Sequence, residues 1–178
     1  MIEKRKEVAA MNSIIVYFSR KYENYVNGML QNLAVGNTET AARILNELTG
    51  AQLFKLEPIQ EYSKNYNECI AQAQADQRRD ARPELKSYPD SLDQIDTVYL
   101  GYPNYWGTMP MAVFTFLEHF DFCGKTIYPF CTHEGSGMGT VSYTHLLSHR
   151  YLEWGSYTCG RLYHQRRTNR NSCISGQR

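Results

Sequence analysis

The sequence predicts an α/β domain built on an open parallel sheet, and three observations carry this. Apolar runs of strand length alternate with segments of helical period, in the order β-α-β-α-β-α-β. The first of these runs is continuous rather than alternating, as expected of a strand buried on both faces. Two of them end in loops rich in glycine and aromatic residues, the arrangement by which an open sheet builds a site at its strand ends.

The first strand is Ser13-Ile14-Ile15-Val16-Tyr17-Phe18-Ser19, β-branched and aromatic. A polar stretch from Arg20 to Gly36 follows. Asn37-Thr38-Glu39-Thr40 then opens a helix whose Ala41, Ile44, Leu45 and Leu48 recur at helical spacing. Asn37 or Thr38 suits its N-cap and Gly50 its end. Gln52 to Glu57 alternates and stops at Pro58, a second strand. Tyr66 to Asp80 reads as a helix, closed before the Arg82-Pro83 break. Asp96 to Tyr102 is the third strand, Pro110 to Phe120 a helix with proline near its start, and Lys125 to Cys131 the fourth strand.

The two loops are Gly101-Tyr102-Pro103-Asn104-Tyr105-Trp106-Gly107 and Thr132-His133-Glu134-Gly135-Ser136-Gly137-Met138-Gly139. An aromatic pair in one of them points to a flat, conjugated ligand, with flavin the natural candidate. Tyr105 and Trp106 could equally pack on their own domain, and Gly135 and Gly137 could be plain turn glycines. Arg20 could be a solvated surface group. His133 lies within the second loop, and Cys123 and Cys131 read as core thiols.

The chain's 178 residues, 42% of them hydrophobic, suffice for one sizeable core. No apolar run reaches the ~18 residues of a membrane span. The charged segment Met1 to Ala10 lacks the apolar stretch of a secretory signal and reads as an extension. Five cysteines without a C-x-x-C pattern fit a reduced, cytoplasmic protein and no metal site. The P-loop pattern is absent, which argues against an NTPase. Residues 11–140 carry 10 Lys/Arg against 15 Asp/Glu, whereas residues 141–178 carry six Arg and one Glu. Those tail arginines have no nucleic-acid-binding fold around them.

Taken together, these motifs resemble the flavodoxin family, in a branch with a long insertion in the first loop. The resemblance rests on Tyr17-Phe18-Ser19-Arg20, Glu23-Asn24-Tyr25-Val26, Val35-Gly36-Asn37-Thr38-Glu39, Tyr62 with Tyr66-Asn67-Glu68, and Ala81-Arg82-Pro83. It continues through Gly101 to Thr108, Thr115-Phe116-Leu117-Glu118, and Pro129-Phe130-Cys131-Thr132 with Gly135-Ser136-Gly137. It covers residues 12 to 140.

The resemblance implies a three-layer fold with strand order 2-1-3-4-(5) and FMN at the carboxyl ends of the strands. Ser19, Arg20, Asn37 and Thr38 would hold the phosphate at a helix N-terminus, which offers unpaired N–H groups and partial positive charge. Pro103, Asn104, Tyr105, Trp106 and Gly107 would lie along the ring. Thr132, His133, Gly135, Ser136 and Gly137 would approach its pyrimidine edge. No side chain would act as an acid, base or nucleophile. The implied function is electron transfer with redox partner proteins or a small-molecule acceptor. The alternatives are an FMN-dependent NAD(P)H:quinone-type reductase and a flavin-free binding module.

The tail, residues 141–178, departs from this pattern. It has no clear element, and the expected final strand and helix are not visible in it. Codons allowed for residues 154–177, read one nucleotide later, can spell a strand, a glycine turn and a helix start. A shifted reading frame is therefore the expectation for this segment, with poor stability and weak flavin retention as its consequence.

Overall fold

The computed structural model describes residues 12–138 and the backbone of Tyr157–Thr158. The extension 1–10 and the tail 141–178, with the reading-frame expectation attached to it, lie outside the described residues apart from that pair.

The elements run β1 (Ser13–Tyr17), β2 (Tyr22–Val26), β3 (Met29–Leu33), α1 (Asn37–Thr49), β4 (Gln52–Lys55), α2 (Tyr66–Arg78), β5 (Thr97–Pro103), α3 (Met111–His119), β6 (Thr126–Thr132) and β7 (Tyr157–Thr158). The main sheet has the order β4-β1-β5-β6-β7. Its first four strands are parallel, with Ile14 beside Gln52, Ser13 beside Thr97 and Thr97 beside Thr126. This is the 2-1-3-4 order expected from the sequence. The two-residue β7 runs antiparallel to β6, with Thr158 opposite Thr126.

The period of two along β1 divides the core. Ile14, Val16 and Phe18 join Val98, Leu100, Tyr102 and the apolar face of α3. Ile15 and Tyr17 turn the other way, onto Ala42 of α1 and Ala51. Both sets are buried, so the strand is covered on each face, as its unbroken apolar run requires. Each such side chain contributes about 1.5–3 kcal/mol relative to exposure. Within α3, Met111 to Phe114, Phe116 and Leu117 are buried. Among the described residues, no helix is long and apolar enough to cross a membrane.

The stretch from Arg20 to Gly36, polar in the sequence, is a second sheet. β2 and β3 pair antiparallel with Val26 opposite Met29. Asn27 (φ 51°) and Gly28 (φ 77°) form the two-residue turn between them. Positive φ at both positions is what a right-twisted hairpin demands, and Asn-Gly supplies it at least cost.

Candidate functional site

The switch point of this sheet lies between β1 and β5, where the chain leaves one side of β1 and returns on the other. In open α/β sheets, ligands bind outside the strands' carboxyl ends at such a point. Three segments meet there: the end of β1 with the start of α1, the loop after β5, and the loop after β6.

The start of α1 lacks a side-chain cap of its own. Gly36 occupies the N-cap position in extended geometry, one residue ahead of the expected Asn37 or Thr38. Ser19, from the end of β1, substitutes: its Oγ accepts from the Glu39 N–H at 3.0 Å. The Gly36 carbonyl accepts from the Thr40 N–H at 3.0 Å. A Cβ at Gly36 would collide with the Arg20 carbonyl and Ser19 Oγ, so only glycine lets the chain pass there. The Asn37 and Thr38 N–H groups donate to no acceptor among the described residues. They form the positive end of a 13-residue helix.

The carboxylate of Glu39 stands in that first turn but is neutralised by Lys55 at 3.1 Å and Arg43 at 2.6 Å. Partial burial opposes its charge. The hydrogen bonds and charges of Lys55 and Arg43 together outweigh burial and hold its carboxyl below the ordinary range. The repulsion it would exert on an incoming anion is thereby offset.

Thr38 is buried, and its hydroxyl meets that of Thr132 at 2.7 Å. Its side chain therefore braces α1 against β6, while its backbone N–H stays open. Arg20 points toward α2: its Nη1 donates to the carbonyls of Ser63 (2.9 Å) and Lys64 (3.2 Å), and its Nη2 to that of Glu23. Its buried Nε has no partner among the described residues.

Asn104 joins the other two loops. Its N–H donates to the Thr132 carbonyl at 2.9 Å. Its Nδ2 reaches Ser136 Oγ (3.1 Å) and the Gly137 carbonyl (2.8 Å), while its Oδ1 accepts from the Gly107 N–H (2.8 Å). Pro103 ends β5 opposite Thr132 in register. Tyr105 and Thr108 exchange backbone hydrogen bonds across a turn at Trp106 (φ 54°) and Gly107 (φ 80°). A tryptophan in the left-handed region is uncommon and marks a backbone held in place by its surroundings.

That turn separates the two aromatics. Tyr105 goes inward, edge-on to Phe18 and Tyr62, with its hydroxyl 3.7 Å from Cys69 Sγ. Burial pushes its phenol well above the usual range. Trp106 stays 49% exposed, its indole N–H donating to the Ile70 carbonyl at 2.8 Å. The second loop is exposed from His133 to Ser136. His133 Nδ1 accepts from the Gly135 N–H at 3.1 Å, and Gly135 and Gly137 hold positive φ.

A model of the flavodoxin family matches residues 30–171. The chain belongs to the flavodoxin family. Its solved structural relatives include a putative flavoprotein from Bacteroides uniformis, 27% identical, with a TM-score of 0.57 over 74% of this chain and 76% of that one. A putative flavoprotein from Bacteroides eggerthii is 28% identical, with a TM-score of 0.57 over 70% and 72%. A flavoprotein in complex with FMN from Lactobacillus acidophilus shares the fold at 17% identity, with a TM-score of 0.55 over 71% and 77%. Comparison with curated proteins gives no match.

For a flavodoxin-family protein, the donor set suits a phosphorylated ligand: two open N–H groups at a helix N-terminus and a neutralised carboxylate in its first turn. The sequence reading missed the hairpin, although Asn27-Gly28 announced it. It also passed over Gly36, and over Glu134, whose Oε1 accepts from the Gly28 N–H at 3.0 Å.

Proposed function

We propose that this chain is an FMN-binding electron-transfer protein. The observation that carries the reading is the pair of open N–H groups on Asn37 and Thr38, set beside loops that Asn104 clips together in a flavodoxin-family fold. The Lactobacillus acidophilus neighbour was solved with FMN, which supports the same cofactor here.

Asn37 and Thr38 would hold the phosphate through their backbone, with Ser19 fixing the helix end that presents them. The 104–107 and 132–137 loops would flank the ring and set its hydrogen bonding. Flavin itself supplies the redox chemistry; the protein supplies binding, orientation and local electrostatics. Redox partner proteins and small-molecule acceptors are both compatible with this role. An FMN-dependent NAD(P)H:quinone-type reductase is the second reading, favoured by the hairpin that crosses the strand ends.

Titration of the apoprotein with FMN and with riboflavin tests the proposal. FMN should bind and develop flavin absorbance, and riboflavin, lacking the phosphate, should bind at least about tenfold more weakly. Failure to take up FMN, or equal affinity for the two, would overturn it. Steady-state NADPH oxidation with a quinone separates the reductase from the carrier.

A further inference from the structure

The β2–β3 hairpin is tied down at both ends. Near its base, Glu23 Oε2 accepts from the Tyr66 N–H at 2.8 Å and from Asn65 Nδ2 at 2.9 Å, at the start of α2. The Glu23 N–H donates to the Lys64 carbonyl, and Arg20 binds the same segment through Ser63 and Lys64. Tyr25 packs against Tyr66 with ring centroids 5.5 Å apart. At the tip, the Gly28 N–H is held by Glu134, two residues beyond the end of β6. Burial, then Tyr25 and Cys69, raise the Tyr66 phenol; Arg20 opposes them and Glu134 adds the smallest effect.

These contacts fix the hairpin's path. It leaves the end of β1, lies along the start of α2 and finishes on the loop beyond β6. It therefore runs across the carboxyl edge of the sheet, from the start of α2 to the loop after β6 that Asn104 ties to the 104–107 loop. A flat protein face approaching that edge meets the hairpin first. A small planar molecule needs much less room.

We propose that the hairpin selects the electron acceptor: it admits small, flat oxidants of the quinone class and holds protein acceptors away. This rests on the FMN reading above. In the step concerned, the fully reduced flavin gives up two electrons and two protons. A quinone takes both pairs and leaves as quinol. A ferricytochrome takes one electron, so two are reduced per flavin and the protons pass to solvent.

The test begins with FMN titration of the full chain. No uptake there overturns the proposed function, and this inference with it, before any oxidant is added. The loaded protein is then reduced with dithionite, freed of excess reductant and mixed anaerobically with benzoquinone or with ferricytochrome c in stopped flow. Three proteins are compared: the native chain, a variant with residues 23–32 replaced by a short Gly-Ser turn, and Glu134→Ala, which removes only the tip's anchor.

The native chain should strongly favour the quinone. The ratio of cytochrome to quinone rate constants should rise about tenfold when the hairpin is shortened, with a smaller rise in Glu134→Ala. A general loss of stability would lower both rates and leave the ratio unmoved. An unchanged ratio in the variants that fold and retain FMN would overturn the proposal. If the shortened variant does not fold, Glu134→Ala decides alone.

Discussion

The hydroxyls of Thr38 and Thr132 meet at 2.7 Å, joining the first turn of α1 to the carboxyl end of β6. Thr38 is 1% exposed, so neither water nor a ligand substitutes readily for its partner. Thr38→Val should lower stability by about 1–2 kcal/mol, since it leaves the Thr132 hydroxyl unpaired. The double variant Thr38→Val/Thr132→Val should lose less than the two single losses combined. Urea unfolding of the four proteins measures this coupling.

Gly36→Ala should damage the site more than an ordinary surface change. The added methyl meets the Arg20 carbonyl and Ser19 Oγ, one of which is backbone and cannot rotate away. The expected cost is about 1–3 kcal/mol, as for overpacking elsewhere. FMN affinity should fall with it, because the displaced groups hold the helix start. A thermal melt and an FMN titration of one preparation test both effects.

Asn104→Ala removes the clip between the β5 and β6 loops, losing bonds to Ser136, Gly137 and the Gly107 N–H. Affinity for FMN should drop by about tenfold or more, each factor of ten corresponding to ~1.4 kcal/mol. Asn104→Asp keeps the acceptor for Gly107 but loses the donors, and should fall between the two. Fluorescence quenching of added FMN gives the affinities.

Glu39 provides a pH signature. Its carboxyl is held below the ordinary range in the folded state, so the folded chain binds fewer protons there than the unfolded one. The stabilisation is therefore present at neutral pH and is lost as pH falls through the carboxylate range and on through the depressed folded value. Glu39→Gln should be less stable than the native chain at pH 7, and the gap should narrow with acidification. Denaturant midpoints across that range check it.

Much of this architecture was legible because burial on two faces leaves a strong record. β1, β4, β5, β6 and the three helices among the described residues fall within a few residues of where the apolar runs and helical spacing place them. The hairpin escaped because Glu23, Asn24, Gln31 and Asn32 break up any apolar pattern; its order comes from the Asn27-Gly28 turn and from anchors on α2 and Glu134. The N-cap escaped for a related reason. The oxygen that caps α1 belongs to Ser19, on a separate element, and local spacing cannot reveal a partner that only the fold brings near.

Neighbouring aromatics posed a different difficulty. Nothing in Tyr105-Trp106 says which ring turns inward. The decision is made by left-handed backbone at Trp106 and Gly107, which packs a half-buried Tyr105 against Phe18 and Tyr62 and leaves the indole on α2.

The central place of β1 also bears on how the chain is made. Ser13 to Tyr17 pairs on one side with β4, but its other neighbour begins only at Thr97. At about 5–20 residues per second, translation leaves that flank vacant for roughly 4–17 seconds. Once Lys55 has been made, the nascent polypeptide can hold at most a two-stranded β4–β1 pair, with Ile14 and Val16 lacking α3, which has yet to be synthesised.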